Sequence, residues 1–261
     1  SDEFKKLNKD ISNYLYLYSI DGSCEYGRKY NIETDALKSC PLSKGIFHCK
    51  PASYRGKHYS DLRDKIVTDL LDYKPANTLL IAYMPSASTS KLLGCNESFE
   101  PIQDLFFTRK GSEGEFTMAN KYLLQDLEKR NLWNQNLANE IMIKGSLKDI
   151  DFVELGLTVE DSKHLKQKYQ TVWEIGMKTY IEMCADRQVY TDQSMSMNTY
   201  YSEAVASKII SGIVHAWKLG MKTGVYYTKV KKQTKPNSNL SFVQEVKTSN
   251  NKGIDCFGCS A

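Results

Sequence analysis

Residues 78–84, Thr-Leu-Leu-Ile-Ala-Tyr-Met, form an unbroken apolar run that stops at Pro85. No other feature constrains the fold as much. A run of strand length without polar alternation predicts a strand buried on both faces, as in an α/β barrel or a doubly wound sheet. It leads straight into Pro85-Ser86-Ala87-Ser88-Thr89-Ser90. Small hydroxyl side chains and free backbone N–H groups at the junction of a strand and a helix suit an anion. Ligands of α/β sheets also gather at the carboxyl ends of strands. The same residues equally suit an ordinary Ser/Thr turn with an N-cap. The Gly-x-x-x-x-Gly-Lys pattern of a phosphate loop is absent.

Around this run the sequence alternates helical and strand patterns. Phe4, Leu7, Ile11, Tyr14, Leu15 and Tyr18 recur at spacings of three and four, predicting an amphipathic helix to about Tyr26. Pro41, Gly45, Pro51 and Gly56 punctuate an irregular stretch, with a short strand or turn expected near Gly45. Leu62, Ile66, Leu70 and Leu71 mark a second helix. Two strands are expected at about 104–110 and 115–118, around Gly111 and Gly114. Asn120 is placed to cap a helix carrying Leu123, Leu124 and Leu127, and Gly145 to end the next one. One long helix is expected from about 158 to 187, with Leu165, Tyr169, Trp173, Met177 and Ile181 on a stripe. Another opens at Ser202 and ends at Gly220, and residues 221–228 read as a strand containing Tyr226 and Tyr227.

Charge and cysteine usage narrow the function classes. Thirty-five basic and 31 acidic residues give a net charge of +4. Residues 228–261 carry six lysines against Glu245 and Asp255, which is the whole excess. A mildly basic tail on a neutral body is a poor nucleic-acid signal, so no direct nucleic-acid binding is expected. No stretch approaches the 18 apolar residues of a membrane span. Seven cysteines and no secretory pattern argue against a disulfide framework and for a reducing, cytoplasmic setting. Cys256 and Cys259 stand two residues apart near the end of a polar arm. Zinc would need a second ligand pair, and no nearby Cys or His supplies one. Two such thiols suit thiol–disulfide exchange, and as a flexible coil the arm from Tyr227 spans about 30 Å. The alternative is a pair of incidental cysteines. Tyr226 and Tyr227 read first as strand tyrosines, although stacked phenols can also hand on an electron and a proton. The four histidines show no ligand spacing, and His215 reads as a packing residue.

Taken together and in order, these features resemble the C-terminal part of the large, catalytic subunit of class I ribonucleotide reductase. The resemblance rests on Met84-Pro85-Ser86-Ala87-Ser88-Thr89-Ser90, Asn96-Glu97-Ser98-Phe99-Glu100-Pro101 and Gly114-Glu115-Phe116. It continues through Leu132-Trp133, Thr171-Val172-Trp173-Glu174-Ile175 and Asp192-Gln193-Ser194-Met195-Ser196-Met197-Asn198. It closes on Trp217-Lys218, Gly220, Lys222-Thr223-Gly224, Tyr226-Tyr227 and the Cys-x-x-Cys tail. The implied fold is α/β: the second half of that subunit's ten-stranded α/β barrel, with a C-terminal helical region and a flexible tail. Residues 1–230 would be the half-barrel with the helices that dock the small subunit, and 231–261 the redox tail.

The resemblance also implies roles. Pro85, Ser86, Ala87, Ser88 and Thr89 would hold the diphosphate of a nucleoside diphosphate substrate. Tyr226 and Tyr227 would be the last tyrosines of a radical relay, Tyr226 the nearer to the catalytic cysteine. Cys256 and Cys259 would reduce the active-site disulfide and be reduced in turn by thioredoxin or glutaredoxin. Helices near 163–187 and 203–219 would dock the C-terminal peptide of the small subunit. That subunit contains the metal and supplies the radical, so no cofactor is expected on this chain. The family's Asn-x-Cys-x-Glu finger loop has no counterpart in this sequence. A separate N-terminal half carrying the thiyl cysteine is therefore expected as a partner, whether the sequence is a fragment or one product of a split gene. The alternative is a non-catalytic remnant that binds and regulates the small subunit.

Overall fold

The computed structural model describes residues 2–33, 35–47, 57–72, 75–111, 114–223 and 225–231. Cys256 and Cys259, and the expected tail beyond 231, lie outside the described residues. The described residues form two compact units, one from 2–104 with 167–231 and the other from 105–166.

The first unit is organised by α1, Asp2–Tyr30, which has Asp2 and Glu3 in its first turn and Arg28 and Lys29 in its last. Both charge sets oppose the helix dipole. A short helix, α2 (Asp35–Ser39), and a 3-10 turn at Leu42–Lys44 follow. Gly45 closes that turn in the left-handed region, φ 69°, so the punctuation near Gly45 is a turn and no strand. Next is α3, Lys57–Asp72. Tyr16, Leu17, Ile20 and Cys24 of α1 pack on Leu62, Ile66 and Leu70 of α3, as the spacing of the leucines predicts for the second helix.

The face that α1 buries differs from the expected stripe. Phe4, Leu7, Ile11, Leu15 and Tyr18 are about half exposed. The inward face carries Asn8, Ser12, Tyr16, Leu17, Ile20, Ser23, Cys24 and Gly27. Its polar members are matched by the helix they meet, α8 (Met177–Gln188). Lys5 pairs with Glu182 at 3.2 Å and Lys9 with Asp186 at 3.1 Å. Asn8 donates to Met183 O at 3.0 Å and accepts from Arg187 at 2.6 Å.

The apolar run 78–84 does not become a strand buried on both faces. It is extended, with Leu79 and Met84 exposed and Leu80 and Ile81 packed on the α1–α3 core. Its backbone partners explain the departure. Leu80 N and Ile81 N both donate to one oxygen of Asp192 at 2.8 Å, where a regular ladder would offer carbonyls. The carbonyls are used normally: Ile81 O accepts from Asp192 N at 3.0 Å, and Tyr83 O from Ser196 N at 3.0 Å. The run then enters α4, Ala87–Leu93.

The second unit holds the expected pair of strands, β1 (Phe106–Gly111) and β2 (Gly114–Ala119), antiparallel with Gly111 opposite Gly114. Asn120 caps α5, Lys121–Lys129, through its side-chain oxygen to Tyr122 N and Leu123 N. Asn134 caps α6, Gln135–Lys144, which ends on Gly145 at φ 64°. The expected long helix over 158–187 is two helices, α7 (Val159–Lys168) and α8. Between them Glu174 accepts from both the amide and the hydroxyl of Thr171 at 2.8 Å, and Val172 N turns outward to Ile102 O at 2.7 Å. That side-chain turn competes with the helical ladder and breaks it.

From residue 167, and so through α8, the chain is back in the first unit, where the remaining elements also lie. β3 (Asn198–Tyr201) pairs in parallel with β4 (Tyr227–Val230), Asn198 opposite Tyr227 and Tyr200 opposite Lys229. Between them runs α9, Ala206–Lys218, starting four residues later than expected and closed at Gly220 with φ 75°. The last strand also begins later than expected, at Tyr227 rather than Met221.

Candidate functional site

Three extended segments lie side by side in the first unit. The middle one, 192–201, bonds on one side to Ile81 and Tyr83 and on the other to the strand that holds the two tyrosines. Tyr226 N donates to Met197 O at 2.6 Å, and Lys231 N to Tyr201 O at 2.9 Å. The loop that follows 78–84 and the Tyr226–Tyr227 pair are thus one segment apart.

At the loop, Pro85, Ser88 and Thr89 are exposed and Ser86 is half-buried. Ala87 opens α4. The Ser86 oxygen accepts from Ser98 N at 2.7 Å, and its carbonyl accepts from Ser90 N at 2.8 Å. Ser98 Oγ donates to Met84 O at 3.3 Å, which ties the loop's exit back to its entry. The hydroxyls of Ser88 and Thr89 face solvent, where they can donate to an oxyanion.

Tyr226 and Tyr227 are about half exposed, with ring centroids 4.3 Å apart. The Tyr227 phenol beside it holds the Tyr226 phenol above its ordinary value. Two phenols in ring contact can pass an electron and a proton. The sequence places adjacent strand residues on opposite faces. Here Tyr226 precedes the first paired residue of β4, which frees its ring to lie against Tyr227.

A groove of about 590 Å³ runs between α8 and α9. Met177, Ile181 and Tyr201 supply apolar wall, and Ser211, Gly212 and His215 face them. Lys178 and Lys208 also line it. His215, read from sequence as a packing residue, stands in the groove 3.7 Å from Glu182, whose carboxyl is held below its usual range first by the hydrogen bond from Lys5. Among the described residues, no three His, Cys, Asp or Glu side chains converge on a metal-sized site, and no helix is long and apolar enough to cross a membrane.

Sequence reasoning gave no role to Glu100, Asp192, Arg187 or Lys222, although three of them stand in the quoted motifs. Glu100 accepts from Tyr200 Oη and Asn198 Nδ2. Burial first, then the Glu100 contact, raises the Tyr200 phenol well above its ordinary range. Arg187, 2% exposed, donates to Asn8 and to Cys184 Sγ and stacks 4.7 Å over Phe99. Apart from Cys184, three residues before Arg187, their partners lie far away in sequence, so no local signal marks these residues.

Comparison with known proteins agrees with the fold and the motifs. The ribonucleotide reductase barrel domain matches residues 1–227. The ribonucleoside-diphosphate reductase large subunit of Danio rerio is 36% identical over 250 residues, covering 92% of this chain and 28% of that protein. The large chain of Cryptosporidium parvum is 37% identical over 237 residues, 90% of this chain and 28% of its own. The large subunit of Variola virus is 37% identical over 240 residues, 90% of this chain and 29% of its own. The chain thus spans less than a third of the length of these relatives. An Actinobacillus ureae class Id ribonucleotide reductase alpha subunit superposes with a TM-score of 0.61 at 21% identity, over 88% of this chain and 35% of that one. An α/β chain with this match over nearly its whole described length belongs to the ribonucleotide reductase barrel-domain family.

Proposed function

We propose that this chain supplies three parts of a ribonucleoside-diphosphate reductase: the diphosphate-holding loop, the last two tyrosines of a radical relay, and a reducing dithiol. Pro85, Ser86, Ala87, Ser88 and Thr89 hold the substrate diphosphate. Tyr226 and Tyr227 each give up one electron and one proton toward the small subunit and take one of each from the next group inward, so that the oxidising equivalent reaches a cysteine carried by a separate N-terminal half. Cys256 and Cys259 reduce the disulfide left by each turnover and are recharged by thioredoxin or glutaredoxin. A metal-containing small subunit generates the radical and seats its C-terminal peptide between α8 and α9. The rim lysines 178 and 208 favour a peptide bearing carboxylates.

The observation that carries this reading is the set of three adjacent segments. One segment, 192–201, lies between the entry of the hydroxyl-rich loop and a phenol pair in ring contact. A substrate held at 85–89 would therefore lie near the end of the relay.

The test is reconstitution. The purified chain, an N-terminal half and a small subunit are mixed, and deoxynucleoside diphosphate formation is measured with a dithiol reductant. Activity is expected only with all three. Tyr226→Phe and Tyr227→Phe should each abolish turnover and leave diphosphate binding nearly intact, because each removes the oxidisable O–H and almost no volume. Turnover by the chain alone, or near-normal activity in either Phe variant, overturns the reading.

A further inference from the structure

The loop at 85–90 stands on two feet, and a carboxylate grips each. At the entry, one oxygen of Asp192 accepts from the consecutive amides of Leu80 and Ile81, both at 2.8 Å. Asp192 is itself anchored toward the tyrosine segment. The Lys222 ammonium, four residues before Tyr226, donates to Asp192 O at 3.1 Å, to Gln193 O at 3.3 Å and to Thr191 O at 2.5 Å. At the exit, the Glu100 carboxylate accepts from Tyr200 Oη on one oxygen and from Asn198 Nδ2 on the other. Both donors belong to β3, where Asn198 sits opposite Tyr227. Tyr200 is 4% exposed and wedged edge-on between Trp173, 5.6 Å away, and Tyr180, 6.4 Å away. Its hydroxyl has little room to point elsewhere.

We propose that Asp192 and Glu100 are positioning residues, two carboxylate braces that fix the entry and exit of the anion loop to the strand pair carrying Tyr226 and Tyr227. The proposal rests on the reading of 85–89 as the diphosphate loop. Hydrogen bonds to an ionised acceptor are shorter and about twice as strong as neutral ones. A single carboxylate oxygen can take two consecutive amides, which a pleated neighbour cannot, because successive amides of a strand point to opposite sides. The braces also span 111 and 98 residues of sequence, so each joins parts of the chain that no local structure holds together.

Two measurements test it. In the reconstituted enzyme, Asp192→Ala and Glu100→Ala should each raise the KM for ADP roughly tenfold or more, the scale of a lost charge-assisted hydrogen bond. The affinity for the small-subunit peptide in the α8–α9 groove should stay within about twofold. Asp192→Asn and Glu100→Gln keep an acceptor oxygen and should recover most of the loss. If Glu100→Ala does not fold, Tyr200→Phe, which removes one donor and little volume, should raise the same KM. A KM within twofold of native in Asp192→Ala and in Tyr200→Phe overturns the proposal, as does equal damage in the Ala and the Asn or Gln variants. The second measurement needs no activity. In the chain alone, Asp192→Ala should speed amide exchange at Leu80 and Ile81 at least tenfold and leave Ile66 of α3 unchanged. Unchanged exchange at residues 80 and 81 overturns the proposal. A native assembly that binds no diphosphate would overturn the functional reading instead, and amide exchange then decides this one.

Discussion

Two glycines lie inside helices of the first unit, and the same substitution should act on them with opposite sign. A Cβ at Gly22 in α1 would meet nothing within 4 Å. Gly22→Ala therefore removes unfolded-state freedom without a clash, a gain of about 0.5–1 kcal/mol. A Cβ at Gly212 in α9 would fall well inside contact distance of the Tyr201 hydroxyl and 3.6 Å from Ile181 Cδ1. Tyr201 is 8% exposed, so its ring cannot swing freely aside. Overpacking of this kind costs about 1–3 kcal/mol. Subtracting the same helix gain leaves Gly212→Ala about 0.5–2 kcal/mol less stable than native. The two variants should differ by roughly 1–3 kcal/mol, which for a chain of this size is a gap of several degrees in Tm. Urea and thermal denaturation of both variants beside the native chain measure it. Gly212→Ala should also weaken peptide binding in the groove, since Tyr201 forms part of its wall. If Gly212→Ala stabilises as much as Gly22→Ala, the tight approach of α9 to Tyr201 is wrong.

Three further outcomes are expected. Cys256→Ser or Cys259→Ser should stop thioredoxin-driven turnover after the first rounds, because a mixed disulfide then has no resolving thiol. Dithiothreitol should restore turnover in part, and sustained thioredoxin-driven turnover at the native rate would show both thiols to be incidental. Burial, followed by Asp69 and Asp21, pushes the Cys24 thiol from its ordinary 9.0 up to about 11. The folded chain thus keeps a proton that the unfolded chain loses, and this contribution to stability declines as pH rises from about 9 toward 11. The urea midpoint of the native chain should fall over that window more steeply than that of Cys24→Ala, and parallel profiles would refute the assignment. Asn120→Ala should cost the second unit about 1 kcal/mol, read from its denaturation midpoint, because two amides of α5 lose their cap. An unchanged midpoint would show that the cap contributes nothing.

What the sequence made legible was what neighbouring residues decide. Asn120, Gly145 and Gly220 end or begin helices where their chemistry says they should, and Leu62, Ile66 and Leu70 face the core. The hairpin around Gly111 and Gly114 pairs those two glycines. The misplaced expectations depend on distant partners. Hydrophobic spacing in α1 points to Phe4, Leu7 and Ile11, yet α8 selects the polar face by offering Glu182, Asp186 and Arg187. The run 78–84 has the composition of a buried strand, but Asp192 takes the amides that a ladder would use. The stripe across 158–187 is continuous in sequence, and Glu174 interrupts it by holding Thr171. At the candidate site, motif resemblance singled out the loop and the tyrosine pair. It assigned nothing to the two carboxylates that join them, since a brace is visible only when both of its ends are.

The contacts between α1 and α8 have a kinetic consequence. Lys5 and Glu182 stand 177 residues apart, and Asn8 and Arg187 179 apart. Closing a flexible loop of that length costs entropy before any contact rewards it. Residues 105–166 lie within that loop, and their hairpin and capped helices need only near neighbours to form. Once folded, that unit removes its own length from the flexible chain still to be closed. The expected order is the inserted unit first and the contacts of α1 with α8 last, and pulse-labelled amide exchange showing α1 protected before residues 105–166 would refute it. The first turns of α1 are held by Asn8, bonded to Met183 O and Arg187, and by the Lys5–Glu182 and Lys9–Asp186 pairs, whose partly exposed side chains leave them screened by water. The segment that docks last is also the one expected to open first, so proteolysis under native conditions should begin in the first turns of α1.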